Sequence, residues 1–253
     1  MKILVFIKLV PDLVEELSID PSGIALDTAW LRMIINEFDD HALEQAILLK
    51  EKNNSEVIVI APDFDGVDEV LYTAVAKGAD QVIKLTGEFI NANNHALARA
   101  ITPFINSIQP DLILTGVQAN NDIDGTFGPT LAACLNNPFI GYVSGVSLEE
   151  NSAKVRKEYP GGIIAEMSVS LPAVLGIQAA EQPPRYVAVS KVRQVMKTAS
   201  IGDHHLETFD NSGSPQINRM FQPETSSHAE MIKGNPDEIA NKLVSILSEK
   251  GIL

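Results

Sequence analysis

Apolar positions along this chain alternate between two rhythms. Ile3 to Ile7 is an unbroken apolar run, the pattern of a strand buried on both faces. Val57 to Ala61, Val82 to Leu85 and Leu112 to Leu114 repeat it. Between these runs the spacing becomes helical. Ala42, Leu43, Ala46, Ile47 and Leu49 share one helix face, as do Val67, Val70, Leu71, Ala74 and Val75. Ala96, Leu97, Ala100, Ile101 and Ile105 form a third. Strand–helix–strand order predicts an α/β fold with a mostly parallel, doubly wound, Rossmann-like sheet. Such sheets hold ligands beyond the carboxyl ends of their strands, where strand order reverses.

After Pro138 the rhythm shortens. Tyr142–Leu148, Lys154–Glu158, Ile163–Leu171 and Ala173–Ile177 read as successive strands, with Asn151 and Pro160-Gly161-Gly162 at turns. They are expected to add antiparallel strands to the sheet. From about Thr198 to Asn235 no period is visible, and Ser, Asp, Pro, Asn and Gly are frequent. This predicts an extended arm. A helix from about Pro236 to Glu249 follows, with Ile239, Leu243, Ile246 and Leu247 on one face. Residues 1–197 are thus expected to form one α/β domain, and 198–253 an arm and terminal helix that either wrap a partner or dock on that same domain.

Composition narrows the function. Net charge is −14 over 253 residues. Nucleic-acid binding needs a basic face, so that class is set aside. No run of about 18 apolar residues occurs, so no membrane span is expected. The start of the chain becomes charged too early for a secretory signal, and a cytoplasmic location is the expectation. The single cysteine, Cys134, cannot form an internal disulfide or by itself hold a metal cluster. Of His41, His95, His204, His205 and His228, only the His204-His205 pair invites a metal reading. It lies in a polar stretch without supporting ligands, and is read as a solvated pair; no metal site is expected. The Walker phosphate loop and the Gly-x-Ser-x-Gly nucleophile turn are absent.

The segment most suggestive of chemistry is Leu112 to Ala132. A buried strand ends at Gly116, a polar loop follows, and a helix begins near Gly125 to Gly128. Glycines there allow close approach of a ligand, and free N–H groups at the helix start suit a phosphate. Pro129 fits a first helical turn. A second loop, Asn36-Glu37-Phe38-Asp39-Asp40, precedes another helix. Asn36 suits the N-cap and the acidic residues the first turn. That explanation suffices without a ligand, and contact with adenine or ribose is the alternative.

The order of short motifs resembles the beta subunits of electron-transfer flavoproteins. The matching blocks are Lys2-Ile3-Leu4-Val5-x-Ile7-Lys8-x-Val10-Pro11-Asp12, Asn36-x-Phe38-Asp39 with Ala42-Leu43-Glu44-Gln45-Ala46, and Ala74-x-Ala76-x-Gly78-Ala79-Asp80. Gly116-x-Gln118-Ala119, Val155–Gly162 with Leu171-Pro172-Ala173-Val174, and Pro184-Arg185-Tyr186 complete the series. Together they span about residues 1–197.

This resemblance implies a heterodimer with a larger alpha subunit that holds the redox-active FAD. It implies an electron carrier without catalysis of its own. The donors would be flavin dehydrogenases of the acyl-CoA dehydrogenase type, as in fatty-acid beta-oxidation. The acceptor would be a quinone reductase or an iron–sulfur protein. The beta subunit would bind AMP, or a second FAD in electron-bifurcating members. By resemblance the nucleotide would meet Phe6, Lys8, Asn36, Phe38, Asp39 and Pro62. It would also meet Gly116, Gln118, Ala119, Asn121, Asp122, Asp124, Gly125, Thr126, Phe127 and Gly128. Leu13 would face the flavin, and Arg185, Tyr186 and Val189 would take part in partner recognition.

The chain departs from the family pattern in places. Gly125-Thr126-Phe127-Gly128 stands where AMP-binding relatives carry an Asn-Gln-Thr-Gly run. The following Pro129 is closer to bifurcating members, whose Thr-Ala-Gln-Val-Gly-Pro pattern is only partly met. AMP and a second FAD both remain open. Tyr159-Pro160 replaces a hydrophobic–acidic pair before Gly161-Gly162, and Val189 stands where relatives have an anchoring leucine. The competing reading is a stand-alone adenine-nucleotide regulator similar to universal stress proteins, which would need no long arm.

Overall fold

The computed structural model describes residues 1–87, 92–122, 124–207, 209–213, 215–223, 229 and 231–253. His228 and parts of the expected arm, residues 208, 214, 224–228 and 230, lie outside them. Contacts divide the chain into Met1–Arg219 and Met220–Leu253.

In the first unit the elements are β1 (Lys2–Phe6), β2 (Leu9–Pro11), β3 (Met33–Ile35), α1 (Glu37–Asn53), β4 (Glu56–Pro62), α2 (Val67–Lys77), β5 (Gln81–Thr86) and α3 (Asn94–Ile108). They continue with β6 (Leu112–Gly116), α4 (Phe127–Leu135), β7 (Phe139–Leu148), β8 (Ser152–Tyr159), β9 (Ile163–Ser170), β10 (Ala173–Ile177), α5 (Val189–Val195) and β11 (Gly202–His205). The second unit carries α6 (Pro236–Glu249). Asn235 and Glu238 cap its start reciprocally, and none of its residues is buried.

The main sheet has the order β11-β5-β4-β1-β6-β10-β7-β8-β9. All pairings are parallel from β11 to β7, and β8 and β9 are antiparallel. Alternation along β1 explains the two-sided core. Ile3 and Val5 face a cluster with Leu43, Ile47 and Leu71 from α1 and α2. Leu4 and Phe6 face the opposite cluster with Ile101, Ile105 and Leu131 from α3 and α4. Strand order reverses at β1. The chain first builds outward through β4 and β5, then returns to place β6 on the other side of β1.

Two expectations need correction. Strand β10 is not an added antiparallel strand: it lies between β6 and β7 and runs parallel to both. All five of its residues are buried, and an interior strand covered on both faces is apolar without alternation. The start of the expected arm is ordered, because Gly202–His205 pairs in parallel with β5 at the sheet edge. His204 and His205 therefore sit on a strand rather than in a solvated loop. The His204 ring stacks on Phe104, with centroids 3.8 Å apart. Val189, expected in partner recognition, opens helix α5.

Candidate functional site

The crevice at the reversal of strand order is formed by residues following β1 and β6 and by the starts of α1 and α4. Asp39, in the first turn of α1, binds it together. Its carboxylate accepts the Lys8 N–H at 2.9 Å and the Gly116 N–H at 2.7 Å. The residue is 3% exposed. Burial pushes its pKa from 3.8 up to about 6, against the pull of hydrogen bonds from the Lys8 N–H, the Asn36 side chain and the Gly116 N–H.

Asn36 occupies the N-cap position of α1, but its side chain makes no capping hydrogen bond. Its Nδ2 instead donates to the Gln118 carbonyl at 2.9 Å, and its backbone N–H donates to the Lys8 carbonyl at 2.9 Å. Capping thus does not account for Asn36. The residue stitches three loops together.

Lys8 Nζ lies 2.5 Å from Asp122 Oδ1 in a largely buried ion pair. Asp122 also accepts the Ala119 N–H at 3.0 Å, which folds the loop after β6 back on itself. Asp124 accepts hydrogen bonds from Asn94 Nδ2 at 2.9 Å and the Thr126 N–H at 3.1 Å. Burial works to raise its pKa, but these hydrogen bonds outweigh it and hold the carboxyl below its ordinary value. Thr126 precedes α4. Its Oγ1 is buried without a well-formed hydrogen bond, though close enough to stabilise the Asp124 carboxylate. Phe6 and Phe127 meet with ring centroids 4.2 Å apart.

Two adjoining cavities result. A narrow one of about 10 Å³ is lined by Phe6, Lys8, Asn36, Asp39, Gly116 to Ala119, Asp122, Gly125 and Phe127. A wider one of about 300 Å³ includes Val10, Asp12, Leu13, Ile34 and Phe38, and shares Asn36 and Gln118 with the first.

Most of the expected residues therefore converge, with informative exceptions. Phe38 and Leu13 line the wider cavity. Pro62 ends β4 and lines neither cavity, and the exposed Asn121 lines neither. Asp124 and Thr126 stand at the start of α4 outside both linings. Gly128 is explained by packing, since a Cβ there would lie 3.0 Å from the Phe139 ring and from Thr115 Oγ1. Arg185, Tyr186 and Val189 lie outside both linings. The β2–β3 pair was not anticipated. Its only signal was two short apolar runs, Leu9-Val10-Pro11 and Met33-Ile34-Ile35.

Fold and crevice define an α/β protein with a loop-built crevice at a switch in strand order. Residues 25–202 match the family model described as the electron transfer flavoprotein domain. The electron transfer flavoprotein subunit beta of Methylophilus methylotrophus is 31% identical over 261 residues, covering 98% of each chain. The caffeyl-CoA reductase-Etf complex subunit CarD of Acetobacterium woodii is 31% identical over 264 residues, covering all of both chains. The beta subunit from Bacillus subtilis is 26% identical over 254 residues, covering 98% of this chain and 97% of its own. The chain belongs to the electron transfer flavoprotein family and aligns along its length with beta subunits. Among the described residues, no helix is long and apolar enough to cross a membrane.

Proposed function

We propose that this chain is the beta-type subunit of a heterodimeric electron carrier and holds an adenosine phosphate in the crevice between β1 and β6. That ligand is AMP or the corresponding part of a second FAD. The observation that carries the reading is the convergence of Lys8, the Asn36–Asp39 turn and the Gly116–Gly125 loop at the switch in strand order.

The residues fit such a ligand. Asn36, Gln118 and nearby backbone groups supply donors and acceptors for a base and ribose. The start of α4, with the Thr126 hydroxyl, suits a phosphate. Lys8 is the cationic group of the lining, and Asp122 holds it. Entry of a nucleotide therefore requires Lys8 to exchange a carboxylate for the ligand. AMP would be a structural occupant, whereas FAD would add a redox centre.

The larger alpha-type partner would hold the principal FAD, with Leu13 and the wider cavity facing the flavin. Ile163 and Ile164, exposed on β9, and the segment from Met220 onward would contribute to its docking. Tyr186 and Val189 would meet the flavin dehydrogenase donor, of acyl-CoA dehydrogenase type, and electrons would pass on to a quinone reductase or iron–sulfur acceptor. The chain itself carries out no bond-making chemistry in this reading.

The test is to co-express the chain with its larger partner, denature the purified complex and quantify flavin and nucleotide. One FAD and one AMP per heterodimer is the result for a simple carrier. Two FAD without AMP places a second flavin in this crevice. A chain that forms no complex and carries no flavin overturns the reading in favour of a stand-alone regulator.

A further inference from the structure

Helix α1 grips the chain that leaves β10. Ala180 N–H donates to His41 Nδ1 at 3.2 Å, and Glu181 N–H donates to Gln45 Oε1 at 3.1 Å. Lys52 Nζ pairs with Glu181 at 2.6 Å. The grip ends at Arg185. Its backbone N–H donates to Glu44 Oε2 at 2.9 Å, and its Nε donates to Glu44 Oε1 at 2.9 Å. Nη2 lies 2.8 Å from the same oxygen, and Nη1 donates to Glu51 Oε1 at 2.6 Å.

Glu44 and Glu51 lie two turns apart on α1, so one guanidinium fork meets both. The Glu44 side chain is 2% exposed. A charged carboxylate at that depth requires its partner, so Arg185 is not free to leave for another protein. Hydrogen bonds with Glu51 and Glu44 push the Arg185 pKa upward, and the Arg185 hydrogen bond holds Glu51 below its ordinary value. Just beyond the clamp the chain is uncovered: Tyr186 is 87% exposed and Val189 57%. Val192 anchors α5, which packs on α2.

We propose that Arg185 is a positioning residue: clamped between Glu44 and Glu51, it fixes the course of residues 185–189 and presents Tyr186 and Val189 to the electron donor without touching the donor itself. The presentation rests on the docking reading above, while the clamp does not. It also assigns a task to Glu44 and Gln45 of α1, which with Asp39 are the buried polar residues of that helix.

The test compares Arg185→Ala, Arg185→Lys, Glu44→Gln and the double variant Tyr186→Ala/Val189→Ala in the heterodimer. Hydrogen exchange over residues 183–197 is followed alongside steady-state reduction by an acyl-CoA dehydrogenase that reduces the wild type. Arg185→Ala and Glu44→Gln are expected to raise exchange in that segment at least tenfold. They should raise KM for the heterodimer severalfold, with kcat and nucleotide content unchanged. Arg185→Lys, which keeps the charge but not the fork, should recover part of both effects. The double variant should raise KM without altering exchange. A raised KM with unaltered exchange in Arg185→Ala would make Arg185 a direct contact and overturn the proposal, as would unaltered exchange in both clamp variants. If only the double variant leaves KM unchanged, the docking reading fails while the clamp stands. Should Glu44→Gln not fold, Glu51→Gln, at an exposed position, gives the exchange measurement instead.

Discussion

The Asp39 carboxylate occupies the space that a side chain at Gly116 would need. It accepts the Gly116 N–H at 2.7 Å. A Cβ on residue 116 would also stand 2.8 Å from Phe38 Cβ and 2.9 Å from the Asp39 nitrogen. The last residue of β6 and the first turn of α1 are therefore fitted to each other at backbone level. Gly116→Ala is expected to displace that turn and to cost about 1–3 kcal/mol, as overpacking in a closed site does. Urea denaturation of the purified variant measures the cost. Wild-type stability with full nucleotide content would show that the two loops are not mutually constrained.

Asp39 also gives the protein a pH dependence of defined sign. Its pKa rises from 3.8 in the unfolded chain to about 6 in the folded one. Between these values the folded state binds more protons, so its stability falls as pH rises through that window. Above the window the contribution is level, with a total near 3 kcal/mol by the conversion of about 1.4 kcal/mol per pKa unit. Asp39→Asn cannot titrate. The stability of wild type relative to Asp39→Asn should therefore decline from pH 4 to about pH 6.5 and then flatten. Parallel curves for the two proteins would rule out Asp39 as the titrating group.

The sheet and its helices were legible because burial on two faces leaves an unmistakable apolar run, as in Ile3–Ile7, and helix faces repeat at 3.6 residues. The same rule was available for Ala173–Ile177, whose unbroken apolar character marks an interior parallel strand, but its neighbours in sequence suggested a meander. Strand β11 was illegible for a different reason. An edge strand needs only backbone hydrogen bonds, so Gly-Asp-His-His pairs with β5 without an apolar pattern. At the crevice, residue types pointed to loops that the fold brings together. Which contacts Asn36, Asp122 and Arg185 make depends on chain segments distant in sequence, and no local signal encodes that.

Lys8 and Asp122, joined in an ion pair, both line the narrow cavity of about 10 Å³. Removing the carboxylate charge should favour an anionic occupant. Asp122→Asn is expected to tighten AMP binding to the nucleotide-stripped heterodimer about tenfold, the equivalent of about 1.4 kcal/mol. The gain should shrink as salt is added. Calorimetric titration at two ionic strengths checks both points. Weaker binding in the variant would mean that Asp122 holds the ligand rather than competing with it.

Gly125 turns the loop into α4 with φ +59°, where β-branched residues are strained, and a Cβ there would lie 3.2 Å from Gln118 Cβ. Gly125→Val should strip the bound nucleotide. Gly125→Asn separates backbone strain from obstruction, because asparagine tolerates this region. Both variants should lose nucleotide, while Gly125→Asn keeps a melting temperature near that of wild type. Full nucleotide content in Gly125→Asn would place the ligand away from this turn.

Val189 offers a small apolar surface at the start of α5, and it is 57% exposed. If this side chain enters an apolar pocket on the donor, one further methylene should be buried there. That gain is worth about 0.8 kcal/mol. Val189→Leu is then expected to lower KM for the heterodimer about fourfold with an acyl-CoA dehydrogenase as donor, while kcat and the stability of the free heterodimer stay the same. Val189→Ala should move KM the other way. Equal KM values across alanine, valine and leucine would remove residue 189 from the docking surface, whatever the course of the neighbouring chain.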